Sequence, residues 1–107
     1  MAGRKTNGVV KLKGIELDVK NSILKREGIS DVHLTPKETK LMHLLMQHEG
    51  KVVSRSDLMQ YVWNTEYLGD TRTLDVHICW LRQKVEDNPR IPEMILTRRG
   101  QGYELRL

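Results

Sequence analysis

Thr71-Arg72-Thr73-Leu74-Asp75-Val76-His77-Ile78-Cys79-Trp80-Leu81-Arg82-Gln83-Lys84-Val85-Glu86 is the stretch that decides the fold. At ~100° per residue, Leu74, Ile78, Leu81 and Val85 fall on one narrow face, which predicts an amphipathic helix with that seam against a core. The helix starts at about Asp70 or Thr71 and ends near Glu86, where Asp87-Asn88-Pro89 stops it. The opposite arc carries Arg72, Val76, Cys79, Trp80 and Gln83, flanked by Asp75, His77, Arg82 and Lys84. A helix buried on one side normally fills the other with Lys and Glu. This one places Trp, Val and Cys beside cations, an arrangement that lowers solubility without helping the core. Either that arc is a contact surface or Trp80, a residue type usually well covered, packs beneath a neighbouring loop.

Moving outward, two extended runs at 94–97 and 103–107 are joined by Arg98-Arg99-Gly100-Gln101-Gly102. Two glycines supply the positive φ that a tight hairpin requires. A basic ribbon tip of this kind can lie along a phosphate backbone or enter a minor groove. In the other direction, Ser54-Arg55-Ser56-Asp57 opens a helix with Ser54 as cap and Asp57 near the positive end of its dipole. Its inner face is expected to carry Leu58, Tyr61 and Val62. Residues 51–53 are expected to form a bridging strand. Before them, Thr35-Pro36-Lys37-Glu38 is a capping box with proline in the first turn, followed by Leu41, Leu44, Leu45 and His48 as one stripe. Gly50 can close that helix in the left-handed conformation.

The first third reads as strands. Runs at 9–12 and 15–19 flank Lys13-Gly14, and Ile15, Leu17 and Val19 alternate with Glu16 and Asp18 as a half-buried strand should. Further runs at 22–26 and 31–34 flank Glu27-Gly28, predicting a four-stranded antiparallel meander with one wet face. The order is strands, three helices, hairpin: an α+β chain.

Composition narrows the function. A chain of 107 residues is about one domain. Eighteen Lys and Arg against 14 acidic residues give a net charge of +4, which favours polyanions when the cations cluster. No apolar run approaches the ~18 residues of a membrane span. Residues 1–8 are polar and basic without an apolar stretch, so they read as a linker and the folded domain as 9–107. Cys79 alone permits neither an intrachain disulfide nor a multi-cysteine metal site, which fits a cytoplasmic protein. His43 and His48 are five apart and His33 is isolated, so no metal site is expected. Gly100-Gln101-Gly102 lacks the strand–helix setting of a phosphate loop. Nothing supports a nucleophile–base or paired-carboxylate arrangement. Neither catalysis nor a cofactor is expected.

The chain resembles the C-terminal effector domain of the OmpR/PhoB family of response regulators, winged helix-turn-helix proteins with an N-terminal four-stranded antiparallel sheet and a C-terminal hairpin wing. The resemblance runs through Leu34-Thr35-Pro36-Lys37-Glu38, Val53-Ser54-Arg55, Val62-Trp63, the segment from Asp70 through Ile78, Leu81-Arg82, and Thr97-Arg98-Arg99-Gly100-Gln101-Gly102-Tyr103. It implies sequence-specific double-stranded DNA binding in transcription regulation, with helix 71–86 in the major groove and wing 98–102 at the minor groove. It further implies that Trp63, Arg72, His77, Arg82, Thr97, Gly100 and Tyr103 touch the phosphate backbone. Asp75 and Val76 would lie near bases, with Trp80, Gln83 and Arg98 also facing the groove, and Arg99 would enter the minor groove. Asn64, Thr65, Glu66, Tyr67, Leu68, Gly69 and Asp70 match the loop that such regulators offer to RNA polymerase. A receiver domain preceding the chain, and a second copy on tandem half-sites, are the other partners implied.

The chemistry of these residues agrees. Indole, imidazole, guanidinium and hydroxyl groups can all donate to phosphate oxygens, and Val76 can meet a thymine methyl. Trp63 and Tyr103 have ordinary core roles as well. Cys79 and Trp80 depart from the resemblance, standing where relatives commonly carry basic residues, and Arg98 stands where an aliphatic residue is usual. These departures predict a more T-rich half-site, with some backbone attraction moved to the wing. The competing reading is a winged-helix protein-interaction module with weak DNA binding, anchored by Trp80, Cys79 and Val76. Double-stranded RNA binding has no distinctive motif here.

Overall fold

The computed structural model describes residues 8–64 and 72–107. The expected linker residues 1–7, the expected loop residues 65–70 and the first expected residue of the third helix, Thr71, lie outside them. The described elements run β1 (Val9–Leu12), β2 (Ile15–Asp18), β3 (Ile23–Arg26), β4 (Ile29–His33), α1 (Pro36–Gln47), β5 (Val52–Ser54), α2 (Arg55–Trp63), α3 (Arg72–Val85), β6 (Ile95–Arg98) and β7 (Gly102–Leu105). Four strands form one antiparallel sheet in the order β1-β2-β3-β4, and three form another in the order β5-β7-β6.

The N-terminal sheet follows its alternation. Ile15, Leu17 and Leu24 point inward and are buried, while Glu16, Asp18 and Lys25 are not. Gly8 already belongs to this sheet, since its carbonyl accepts from the Val19 N–H at 2.8 Å. β4 begins at Ile29, two residues earlier than its hydrophobic content predicts, because Glu27 and Gly28 alone suffice to turn the chain.

α1 is the central helix and packs against α2, α3 and β7. Its start is the expected capping box: Thr35 Oγ1 accepts from the Glu38 N–H at 3.1 Å, and Glu38 Oε1 accepts from the Thr35 N–H at 2.9 Å. Leu41, Leu44 and Leu45 are buried as expected, and Met42 and Met46 are buried with them. His48 does not join the stripe. It caps the helix in an exposed position, its Nδ1 3.1 Å from the Leu44 carbonyl. Neighbours on several sides let α1 bury more than one stripe, and its end at Gln47 leaves His48 outside.

α2 opens on Ser54, whose hydroxyl accepts from the Asp57 N–H at 3.0 Å, and closes on Asn64 in the left-handed conformation. Its inner face is Leu58, Met59 and Val62. Tyr61, expected there, is 42% exposed. A tyrosine with its hydroxyl near solvent is displaced by a flexible methionine, which fills irregular core space better. The core joins all these parts through residues such as Leu17, Leu24, Leu45, Leu58, Ile78, Ile95 and Leu105. No described helix is long and apolar enough to cross a membrane.

Candidate nucleic-acid interface

α3 divides as its sequence predicts. Leu74, Ile78, Leu81 and Val85 are buried, whereas Val76 is 43% and Trp80 47% exposed, and Cys79 and Gln83 are exposed beside them. The outer arc is therefore open, and Trp80 is not sealed beneath a loop. One side of its indole meets His77, with ring centroids 4.9 Å apart at 58°. His77 meets Trp63 edge-on at 5.0 Å, and the Lys37 ammonium lies 5.6 Å from the centroid of the Trp63 ring. His77 Nδ1 lies 2.8 Å from the Thr73 carbonyl. A carbonyl only accepts, so Nδ1 carries a proton, and Nε2 can donate to a phosphate only when the ring is doubly protonated. This rail of three rings joins the end of α2 to the outer flank of α3.

Most of the charged groups expected at the groove also hold the protein together. Asp75 Oδ1 accepts from Arg55 Nη1 at 2.7 Å and from the Tyr103 hydroxyl at 2.6 Å, while Oδ2 accepts from Arg55 Nη2 at 3.0 Å. The Arg55 guanidinium, and then the Tyr103 hydroxyl, hold the Asp75 carboxyl below the usual range for aspartate, against the opposing effect of burial. Burial, with donation to Asp75 second, pushes the Tyr103 phenol up. Arg55 is raised by the same hydrogen bonding. This three-way contact ties α2, α3 and β7 together.

Arg82 plays a similar part between α3 and β6. Its Nε and Nη2 donate to the Ile95 carbonyl at 3.0 and 2.8 Å, its Nη2 donates to Thr97 Oγ1 at 2.8 Å, and its guanidinium lies 5.6 Å from the Tyr103 ring centroid. Lys84 Nζ donates to the buried Glu38 at 2.6 Å. Gln83 leans on Cys79, with Nε2 3.8 Å from Sγ. Arg72 is exposed at the start of the helix.

The hairpin is fixed from several sides. Gln101 N–H donates to the Arg98 carbonyl at 2.8 Å across the turn, and Gly100 takes the positive φ of 75° that the turn requires. Gly102 has a different need. A Cβ there would lie 2.0 Å from the Val53 carbonyl oxygen, so glycine lets β7 approach β5. Arg98, which the sequence places at the wing, turns inward: its Nε donates at 2.6 Å to Glu104 Oε1, and that carboxylate also faces Arg106 Nη2 at 3.5 Å. Thr97, Arg99 and Gly100 are exposed. At the far end of α3, the Glu86 carboxylate accepts from the N–H groups of Glu93, Met94 and Ile95 at 2.7–3.2 Å. Arg26 Nη1 donates to the Val85 carbonyl at 2.6 Å.

Of the residues expected at DNA, Arg72, Val76, Trp80, Gln83, Thr97, Arg99 and Gly100 are exposed. Trp63 and His77 are half-buried, and Tyr103 lies in the core. Of the expected polymerase loop only Asn64 is described. Sequence reasoning assigned no role to Arg55, Lys37 or Glu104. Arg55 had a signal in its charge complementarity to Asp75 within recurring motifs, but the other two had none. Among the described residues no cluster of His, Cys, Asp or Glu could hold a metal ion.

The family described as transcriptional regulatory protein, C terminal, matches residues 29–105. The chain belongs to that family. This effector domain is similar to several OmpR/PhoB-type structures. The DNA-binding domain of CpxR from E. coli is 31% identical, with a TM-score of 0.77 over 92% of this chain and 95% of that one. The Klebsiella pneumoniae RstA DNA-binding domain, solved in complex with the RstA box, is 28% identical, with a TM-score of 0.80 over 92% and 96%. The response regulator DrrB, a Thermotoga maritima OmpR/PhoB homologue, is 28% identical with a TM-score of 0.77. There the match covers 92% of this chain and only 44% of DrrB. Against this family, the four-strand opening, three helices and terminal hairpin of the effector domain are a winged helix.

Proposed function

We propose that this effector domain binds double-stranded DNA at specific sequences to regulate transcription, with α3 in the major groove and the wing at residues 98–102 in the adjacent minor groove. The observation that carries this reading is the open outer arc of α3 beside a hairpin whose tip exposes Arg99. A helix suits the major groove, and an arginine suits a narrow minor groove. The RstA domain crystallised on its own box supports the same use here. Val76 and Trp80 face bases, and Arg72, Thr97, Arg99 and the Gly100 backbone face the sugar–phosphate chain or the minor groove. Asp75, Arg82, Arg98 and Tyr103 set the spacing between helix and wing.

The likeness to response regulators supports a wider assembly as part of the same proposal. Residues 1–7 serve as a linker to a receiver domain, the rest forms the DNA-binding unit with Gly8 held at its first sheet, two copies occupy tandem half-sites, and residues 64–70 meet RNA polymerase in the cytoplasm. The test is selection of bound sites from random duplexes at stated salt. An enriched consensus, and a log–log salt slope of about −0.9 per phosphate contact, are expected. Failure to enrich any sequence, with weak binding indifferent to sequence, would leave the protein-interaction reading in its place.

A further inference from the structure

We propose that Trp80 is a specificity-determining residue that reads the 5-methyl group of a pyrimidine in the major groove. The inference rests on the DNA-binding reading above and goes beyond it by naming the chemical group that is read.

A major groove offers donors, acceptors and one apolar feature, the methyl of thymine. Three of the charged groups beside the outer arc of α3 are taken up within the protein. Arg82 is engaged with Ile95 and Thr97, Lys84 with Glu38, and both Asp75 oxygens with Arg55, while the exposed Gln83 has a long 3.8 Å contact to Cys79. Trp80, with Val76 one turn before it, is the largest group presented. An indole has a single N–H donor, and the rest of its surface is apolar.

That ring is also held in place. His77 lies 4.9 Å from it, is tied to the Thr73 carbonyl and rests against Trp63. An anchored aromatic ring loses little rotamer freedom when it makes contact. What it can reward is apolar surface. The 5-methyl group is the only such surface a base pair displays in this groove.

The experiment uses a duplex recovered by the wild-type protein from a random pool. Each thymine is replaced singly by deoxyuridine, which removes the methyl and leaves base pairing intact, and affinity is measured at one fixed salt concentration. At one or more positions the wild type should lose about fourfold, the worth of one buried methyl. In Trp80→Ala that penalty should vanish at one of those positions, while penalties elsewhere persist. Trp80→Leu should retain part of it, and Trp80→Gln none. The inference is overturned if every uracil duplex binds the wild type as well as its thymine parent, or if Trp80→Ala leaves each penalty unchanged. A pool that yields no enriched sequence overturns the DNA-binding reading and this inference with it, so the two failures are distinguishable. Melting curves of the variants should match the wild type, because the indole is nearly half exposed.

Discussion

The two sheets of this molecule are both antiparallel and built from short strands, yet they are secured by different means. The N-terminal sheet is held mainly by apolar alternation, with Ile15, Leu17 and Leu24 against the helices. Lys11 pairs with Glu16 at 3.9 Å at the surface, where such a pair contributes little, and the directional ties to the rest of the chain are few: Lys13 to Glu49 at 3.1 Å, and Arg26 to the Val85 carbonyl at 2.6 Å and to Asp87 at 3.7 Å. The C-terminal sheet buries all four residues of β7, including Glu104, and is bound to the helices through Tyr103–Asp75–Arg55 and Arg82–Ile95. A sheet that only covers a core can rely on non-directional burial. A sheet that must hold a hairpin at a set place beside a helix needs directional bonds, and it draws them from Asp75, Arg55 and Arg82.

The sharpest way to break this contrast is one substitution made in both sheets. Gly102→Ala forces a Cβ to within 2.0 Å of the Val53 carbonyl and should destabilise the fold by about 3 kcal/mol or more in urea unfolding. Gly14→Ala, in the β1–β2 turn at φ 86° with open space around it, should lose about 1 kcal/mol from backbone strain alone. Equal losses would show that the close approach of β5 and β7 carries no special weight.

Next in size is Tyr103→Phe, which removes a hydrogen bond to a charged partner and should lower stability by about 1 kcal/mol. It should also weaken duplex binding by loosening wing from helix. The same network has a pH signature. Asp75 is held below its ordinary value of 3.8, so its contribution is full above that value and is lost as pH falls through the depressed folded-state value. Urea unfolding from about pH 5 down to about pH 2 should fall more steeply for wild type than for Asp75→Asn. Parallel curves would remove Asp75 from the account of how the hairpin is secured.

The smallest effect on stability belongs to the tip. Arg99→Ala should leave unfolding within about 0.5 kcal/mol of wild type while reducing the magnitude of the salt slope of DNA binding by about 1. A large loss of stability there would mean that the tip, too, is structural.

Period and caps made most of the fold legible before any coordinates. Thr35 and Ser54 mark their helices by hydroxyl chemistry, and the Leu74–Val85 seam marks its core face by spacing. Tyr61, His48 and the start of β4 depart from the pattern because local sequence does not reveal which neighbours arrive from elsewhere in the chain. The site was legible in composition but not in engagement. Arg82 and Arg98 carry the same charge as Arg99, and nothing local indicates that Ile95 and Glu104 take up the first two. Those partners are fixed only when α3, β6 and β7 come together. Trp80 was readable as either exposed or covered, and only the packing around it decides.

The bracket at Glu86 bears on how any bound duplex must behave. One carboxylate gathers three successive amides leading into β6, so the residue after α3 and the strand that leads to the wing share a single joint. On the proposed DNA-binding reading, a joint of this kind limits how far helix and wing can spread to suit each site. That reading shifts the adjustment to the nucleic acid, so groove width and stiffness would add to selectivity at positions that no side chain touches.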